Sequence, residues 1–185
     1  MIDDILKEAD EKMKKSVVTT GHELATVRTG RASGAIIEHL TVDYYGTKTP
    51  LNQMASITVP EPQLLVVQPW DKTALEAVEK AIMQSDLGLS PSNDGNLIRL
   101  PFPPLSEERR KELVRHVKKL AEHGRVSVRN VRRDANERVK RLKKEHEIAE
   151  DDSKRAHDEC QDLTDKHIAE IDALIEAKEL EIMEV

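Results

Sequence analysis

The sequence predicts an α+β protein of two domains: an antiparallel three-helix bundle into which a small β/α/β domain is inserted. Two observations carry this. All eight prolines lie between Pro50 and Pro104, and all four aromatic residues (Tyr44, Tyr45, Trp70, Phe102) share that middle third. The proline-free flanks repeat apolar residues at spacings of 3 and 4, the period of a helix with one buried stripe. Charged residues make up 35% of the chain and aromatics 2%, which favours long helices with narrow apolar seams over one large globular core.

The first flank reads as a helix over about residues 2–28. Ile2, Leu6, Ala9, Met13, Val17, Leu24 and Val27 form its stripe, Arg28 in the last turn complements the helix dipole, and Gly30 stops it. The second helix starts at Ser106. Pro103 and Pro104 block an earlier start, Ser106 caps, and Glu107 and Glu108 occupy the acid-favouring first turn. Leu113, Val117, Leu120, Gly124, Val128, Val131, Ala135, Val139 and Leu142 form its seam, and a run to Lys144 would be about 57 Å long. Gly124 weakens helix propensity but sits on the seam, where it permits close helix approach. A third helix follows AEDD, with Asp151 or Asp152 as cap. Its seam is Ala156, Cys160, Leu163, His167, Ile171, Leu174, Ile175 and Ile182. One short connection between two long helices predicts an antiparallel pair, against which the first helix closes.

Between the flanks, AIIEHLTVDYYG reads as a strand ending near Gly46, with ASITVP and QLLVVQPW as two more around a Pro-Glu-Pro turn. KTALEAVEKAIMQSDLG reads as a helix stopped at Gly88, and NLIRLPF as a last strand whose Pro101 confines it to an edge or an end. The expected domains are 1–30 with 106–185, and 31–105. The chain crosses between them near 29–32 and 103–106. Gly30, Arg31, Pro103, Pro104 and Leu105 are the hinge candidates. A fixed interface and a hinge rotation both stay open.

Several function classes lack a signature. The single cysteine, Cys160, leaves no internal disulfide and no cysteine-based zinc cluster, and points to a reducing, cytoplasmic setting. Its place on a seam reads as a buried structural thiol. The acidic amphipathic N-terminus resembles neither a secretion signal nor a transit peptide, and no run of 18 apolar residues spans a membrane. Seven scattered histidines form no HExxH or other tight ligand pattern, so no metal is expected. Neither GxGxxG nor GxxxxGK occurs, so no nucleotide cofactor is expected, and no catalytic constellation marks an enzyme.

One segment does carry chemistry. RVSVRNVRRDANERVKRLKK, residues 125–144, holds nine basic residues against two acids, a net +7 within a chain of net −6. On a helical wheel Arg125, Arg129, Arg132, Arg133, Lys140, Lys143 and Lys144 fall within an arc of about 120°, centred about 130° from the seam. Residues 145–185 carry fifteen acids and four bases, but that helix has to pack on the seam, and the arc points largely elsewhere. Two readings stay open: a solvated helix face, or a contact surface for a polyanion. Arginine grips phosphate bidentately, which favours the second. No aromatic residue on this helix could stack on bases, so shape and phosphate recognition of a structured RNA fits better than readout of single strands. A helical coiled-coil scaffold or chaperone without RNA binding is the alternative, and it leaves both the arc and the inserted domain unexplained.

VRTGRAS (27–33), YYGTKTPLNQMAS (44–56), SDLGL (85–89), IRLPFPPLSEERRKELV (98–114) and RVSVRNVRRDANERVK (125–140) together resemble the bacterial ribosome recycling factor family over essentially the whole chain. Gly34 stands where the family often has proline, and Ala149 where it commonly has serine. The resemblance implies an L-shaped, tRNA-sized monomer of three-helix bundle plus β/α/β domain. It implies binding to the rRNA of the large ribosomal subunit after termination. It also implies that elongation factor G and its GTP separate the subunits, with release of mRNA and tRNA. DNA and membranes are not implied partners. Arg129, Arg132 and Arg133 match the family's rRNA-contacting helix, with Arg125 and Lys140 on the same arc and Arg28 and Arg31 near the bundle tip. The middle domain and hinge would meet elongation factor G.

Overall fold

The computed structural model describes residues 1–184. They divide into two compact units, one of residues 1–28 and 107–184, the other of residues 29–106.

The first unit holds three helices: α1 (Ile2–Ala25), α3 (Glu107–Lys144) and α4 (Glu150–Met183). Cross-helix contacts fix their directions. Glu8 meets Arg138 and Ser16 meets Ser127, so α1 and α3 are antiparallel. Arg125 meets Asp172 and Arg132 meets Gln161, so α3 and α4 are antiparallel as well. The seam is buried where the periodicity places it, at Leu6, Ala9, Met13 and Leu24, at Val117, Val128 and Val139, and at Ala156, Cys160, Ile171 and Ile182. Gly124 faces α1. A Cβ there would lie 2.3 Å from Thr20 Oγ1 and 3.2 Å from Ile171 Cδ1, so glycine sets how closely the helices meet.

Three end-effects differ from the sequence reading. α1 stops at Ala25, so Arg28 lies beyond its last turn. The basic residue in that turn is His22, and Val27 is buried without being helical. Asp151 and Asp152 do not cap α4. Ala149 holds the cap position in extended conformation, and the two aspartates lie in the first turn, where the helix dipole favours them equally. Ser153 and Thr164 are buried on α4. Thr164 satisfies its hydroxyl locally by donating to the Cys160 carbonyl at 2.8 Å, a habit that apolar periodicity does not register.

The second unit packs β1 (Thr41–Tyr44) and β2 (Thr47–Pro50) as a hairpin. A four-stranded antiparallel sheet in the order β3-β4-β6-β5 consists of β3 (Ala55–Glu61), β4 (Leu64–Pro69), β5 (Ser92–Asn93) and β6 (Ile98–Pro101). The helix α2 (Leu75–Gln84) completes it. Ile37, Val42, Leu51, Leu65, Val67, Val78, Ile82, Ile98 and Leu100 form its core.

The long first strand of the sequence reading is a short 3-10 turn over Gly34–Ile36, then β1 alone. TKTP, which has no alternation of apolar and polar residues, supplies the unforeseen β2. Tyr45 and Gly46 both have positive φ (48° and 77°), which is the geometry of a two-residue hairpin turn. Pro60 and Glu61 belong to β3, and the turn falls after them. The β3–β4 register shifts between Thr58 and Glu61, where Pro60 has no N–H to give the ladder. α2 ends at Gln84 rather than Gly88, because Ser85 turns extended and its hydroxyl donates to the Ile82 carbonyl at 2.5 Å. Pro101 falls at the end of β6.

Candidate nucleic-acid interface

The basic run is wholly helical within α3, and the lengths of its side chains decide what each can reach. Arg125 is tied most tightly. Its Nε and Nη2 donate to Asp172 Oδ1 on α4 at 2.8 and 2.7 Å, and its Nη1 donates to Glu122 Oε2 at 3.1 Å. Its side chain is only 22% exposed. The Asp172 hydrogen bond, seconded by Glu122, raises its pKa further. Arg129 donates one N–H to Glu122 Oε1 at 2.8 Å, and its side chain is 40% exposed. Arg129 first and Arg125 second hold the Glu122 carboxyl below its ordinary range.

Arg132 donates one N–H to the Gln161 side-chain carbonyl at 3.0 Å, and Gln161 passes its own amide to Asp165 at 2.8 Å. Lys143 reaches Glu150 at 2.6 Å. Arg133, Lys140 and Lys144 are exposed and hold no ion pair among the described residues.

The expectation that the arc points away from α4 is therefore corrected at its near edge. Arg125, Arg132 and Lys143 bend back to α4 because an arginine or lysine stem can carry its head several ångströms around the helix, a reach that a wheel of Cα positions omits. The far edge keeps the expected geometry. Exposed ion pairs contribute only about 0–1 kcal/mol each, so a phosphate can replace the carboxylate on Arg129 at little cost. Arg129 and Arg132 each commit one of five donors, and Arg133 commits none. A planar fork with free donors is what a phosphate oxygen pair needs. Arg125, with three donors fixed and little exposure, braces α3 to α4.

Arg28 and Arg31 are exposed and lie outside α3, on the segment that follows α1. Of the hinge candidates, Gly30 adopts φ +75°, and a Cβ on it would lie 2.8 Å from Leu105 Cγ. Glycine is thus required there both by backbone conformation and by the approach of the second crossing segment. Pro103 and Pro104 are exposed. Ala32, just beyond Arg31, donates its N–H to the Pro62 carbonyl at 2.8 Å, which ties the incoming segment to the β3–β4 turn.

Cys160 is fully buried, and burial pushes its thiol above the ordinary range, with the nearby Arg132 charge acting weakly in the other direction. His167 is buried too. Its Nε2 lies 2.6 Å from Asp10 Oδ1 and its Nδ1 3.3 Å from Glu170 Oε2, so it is a satisfied core residue linking α4 to α1. Among the described residues, no group of three or more His, Cys, Asp or Glu could hold a metal ion, and no helix is long and apolar enough to cross a membrane.

The family model described as ribosome recycling factor matches residues 20–183. A ribosome-recycling factor of Syntrophomonas wolfei is 57% identical over 185 residues, covering all of both chains. One from Geobacillus kaustophilus is 56% identical over the same full span. Among solved structures, the solution structure of a ribosome recycling factor superposes with a TM-score of 0.80 at 50% identity, covering 100% of this chain and 98% of its own. The Thermus thermophilus factor, from a structure in which it and Escherichia coli elongation factor G are bound to the E. coli post-termination complex, matches at TM-score 0.67 and 51% identity over 99% of each chain.

Proposed function

The chain belongs to the ribosome recycling factor family, and we propose that it binds the post-termination ribosome on the large subunit and, with elongation factor G and GTP, splits it into subunits. Messenger and transfer RNA are thereby freed for a new round of synthesis. Binding uses rRNA phosphates on the outer arc of α3: Arg129, Arg132, Arg133 and Lys140 make the contacts, Arg28 and Arg31 are further candidate contacts, and Arg125 braces the helix. The protein works in the cytoplasm and catalyses no reaction of its own. Elongation factor G holds the nucleotide, in keeping with the lack of a phosphate-cradling loop in this sequence. Gly30, Arg31, Pro103, Pro104 and Leu105 act as the swivel between the two units.

The observation that carries the reading is full-length identity above one half to ribosome-recycling factors, together with a row of arginines whose donors are only partly committed. The test is cosedimentation with purified large subunits over a range of salt. Folded RNA gripped through several phosphates should be released steeply as salt rises. Arg132→Glu should abolish binding while leaving helicity and melting nearly unchanged, because Arg132 gives the bundle only one exposed hydrogen bond. Unchanged binding by that variant rejects the assigned face.

A further inference from the structure

The arginines of the basic face differ in what holds them. Carboxylates from two residues, Asp172 and Glu122, hold Arg125, and one, Glu122, holds Arg129. Arg132 is held by an amide instead. Its Nη1 donates to the Gln161 side-chain carbonyl at 3.0 Å. No acid stands three or four residues from it on α3, where the neighbours are Val128, Arg129, Ala135 and Asn136. Compensation by carboxylates thus fades along the helix and ends at Arg132.

The amide that holds Arg132 is itself fixed from both sides. A guanidinium only donates, so Gln161 has to turn its oxygen towards Arg132. A carboxylate only accepts, so Gln161 has to turn its NH2 towards Asp165. One orientation meets both demands, with Gln161 Nε2 donating to Asp165 Oδ1 at 2.8 Å. The two residues are four apart on α4 and so share a helix face. A flipped amide would lose both hydrogen bonds and set its NH2 against the guanidinium. Asp165 therefore locks Gln161, and Gln161 aims Arg132.

The neutrality of this partner matters chemically. A carbonyl oxygen orients a guanidinium through its dipole and leaves the positive charge standing. A carboxylate in the same place would neutralise that charge and compete with an incoming phosphate. The Asp165 charge is kept one side chain further back, where its attraction for Arg132 is weaker.

We propose that Gln161 is a positioning residue for the basic face: its carbonyl presents the Arg132 guanidinium already aimed and uncompensated, so that an rRNA phosphate is gripped there without an ion pair first being broken. Aiming the side chain in advance reduces the ordering cost of binding. The proposal rests on the reading of this face as the rRNA contact.

The test uses the full chain, cosedimented with purified large subunits over a range of salt. Gln161→Glu should weaken binding about tenfold and lower the log–log salt slope by about one unit, because a neutralised arginine no longer answers a phosphate. Gln161→Met keeps the arginine charge but removes the oxygen that aims it. It should weaken binding about threefold with the slope unchanged. Gln161 is exposed, and both variants should melt like the parent. In an Arg132→Ala chain at low salt, Gln161→Glu should weaken binding by less than about twofold more, since the residue it acts through is gone. Parental binding by Gln161→Glu, an equal fall in slope for both variants, or the full loss in the Arg132→Ala background would each overturn the proposal. Arg132→Glu separates the two failures. If that variant binds unchanged, the rRNA face is wrong and the role of Gln161 goes with it. If it loses binding while Gln161→Glu does not, only the role of Gln161 is lost.

Discussion

Gly124→Ala offers a test in which the sign alone decides. On an open helix face the change should stabilise by about 1 kcal/mol through helix propensity. In this bundle the new methyl would lie 2.3 Å from Thr20 Oγ1 and 3.1 Å from Thr20 Cγ2. Thr20 has two ways to yield. It can hold its rotamer and push α1 away from α3, an overpacking that costs about 1–3 kcal/mol. Alternatively it can rotate, breaking the 2.8 Å hydrogen bond to the Ser16 carbonyl and stranding a hydroxyl in a site where Thr20 is buried, a similar cost. Set against the propensity gain, a net loss of about 1 kcal/mol is expected. For a bundle of this size that lowers Tm by roughly 4 °C. Thr20→Ala removes the two nearest of the three atoms that the methyl meets and leaves Ile171 Cδ1 at 3.2 Å, the end of a side chain that can shift by a few tenths of an ångström. The double variant should therefore recover much of the propensity gain, with a coupling energy of about 1 kcal/mol. Urea and thermal unfolding followed by helical circular dichroism would measure it. A stabilised single variant, or additive effects in the cycle, would refute the close approach.

Three further outcomes follow from particular contacts. The Asp71 carboxylate, helped by burial, pushes the Tyr44 hydroxyl up to about 12. A folded pKa above the unfolded value of about 10 leaves stability intact below pH 10 and erodes it from there to pH 12, as the unfolded chain loses its proton first. In a Tyr45→Phe background, phenolate absorbance at 295 nm should appear near pH 12, and Asp71→Asn should bring it down. Cys160, buried with its thiol pushed up, should react with Ellman's reagent only as fast as the bundle opens, so Gly124→Ala should speed labelling. Arg133→Ala should lower the log–log salt slope of ribosome binding by roughly one unit with no change in melting, whereas Arg125→Ala should lower Tm as well, because it frees Asp172 and Glu122 from their shared partner.

How much of the fold is legible in the sequence depends on whether an element's signal is periodic or local. The three long helices, their antiparallel order and most seam residues follow from 3-and-4 spacing over more than twenty residues each. So does Gly124, because a glycine on an otherwise apolar stripe has few other uses. The middle unit is less legible. β2 and β5 consist of Thr, Lys, Ser, Asn and Pro and lie on the surface, where no buried face imposes alternation. Gly88 reads as a helix stop, but Ser85 has already ended the helix through its own side chain. For the basic face, sequence correctly locates the charges yet not their partners. Glu122 lies just outside the basic run, seven residues before Arg129, a spacing of two helical turns that would have flagged the pair. Tyr45 and Trp70 give no sign of exposure, since large aromatics are ordinarily core residues; the hairpin turn puts Tyr45 outside, and Trp70 lies exposed just past the end of β4.

Glu122 has a consequence for turnover. Its carboxylate holds Arg129, so on the proposed rRNA face it would act as a tethered competitor for that guanidinium. Every departure from the ribosome would then be assisted by an acid already within reach, and affinity would be held below what bare arginines give. A factor that has to let go once per cycle gains from a grip that its own side chains can reclaim.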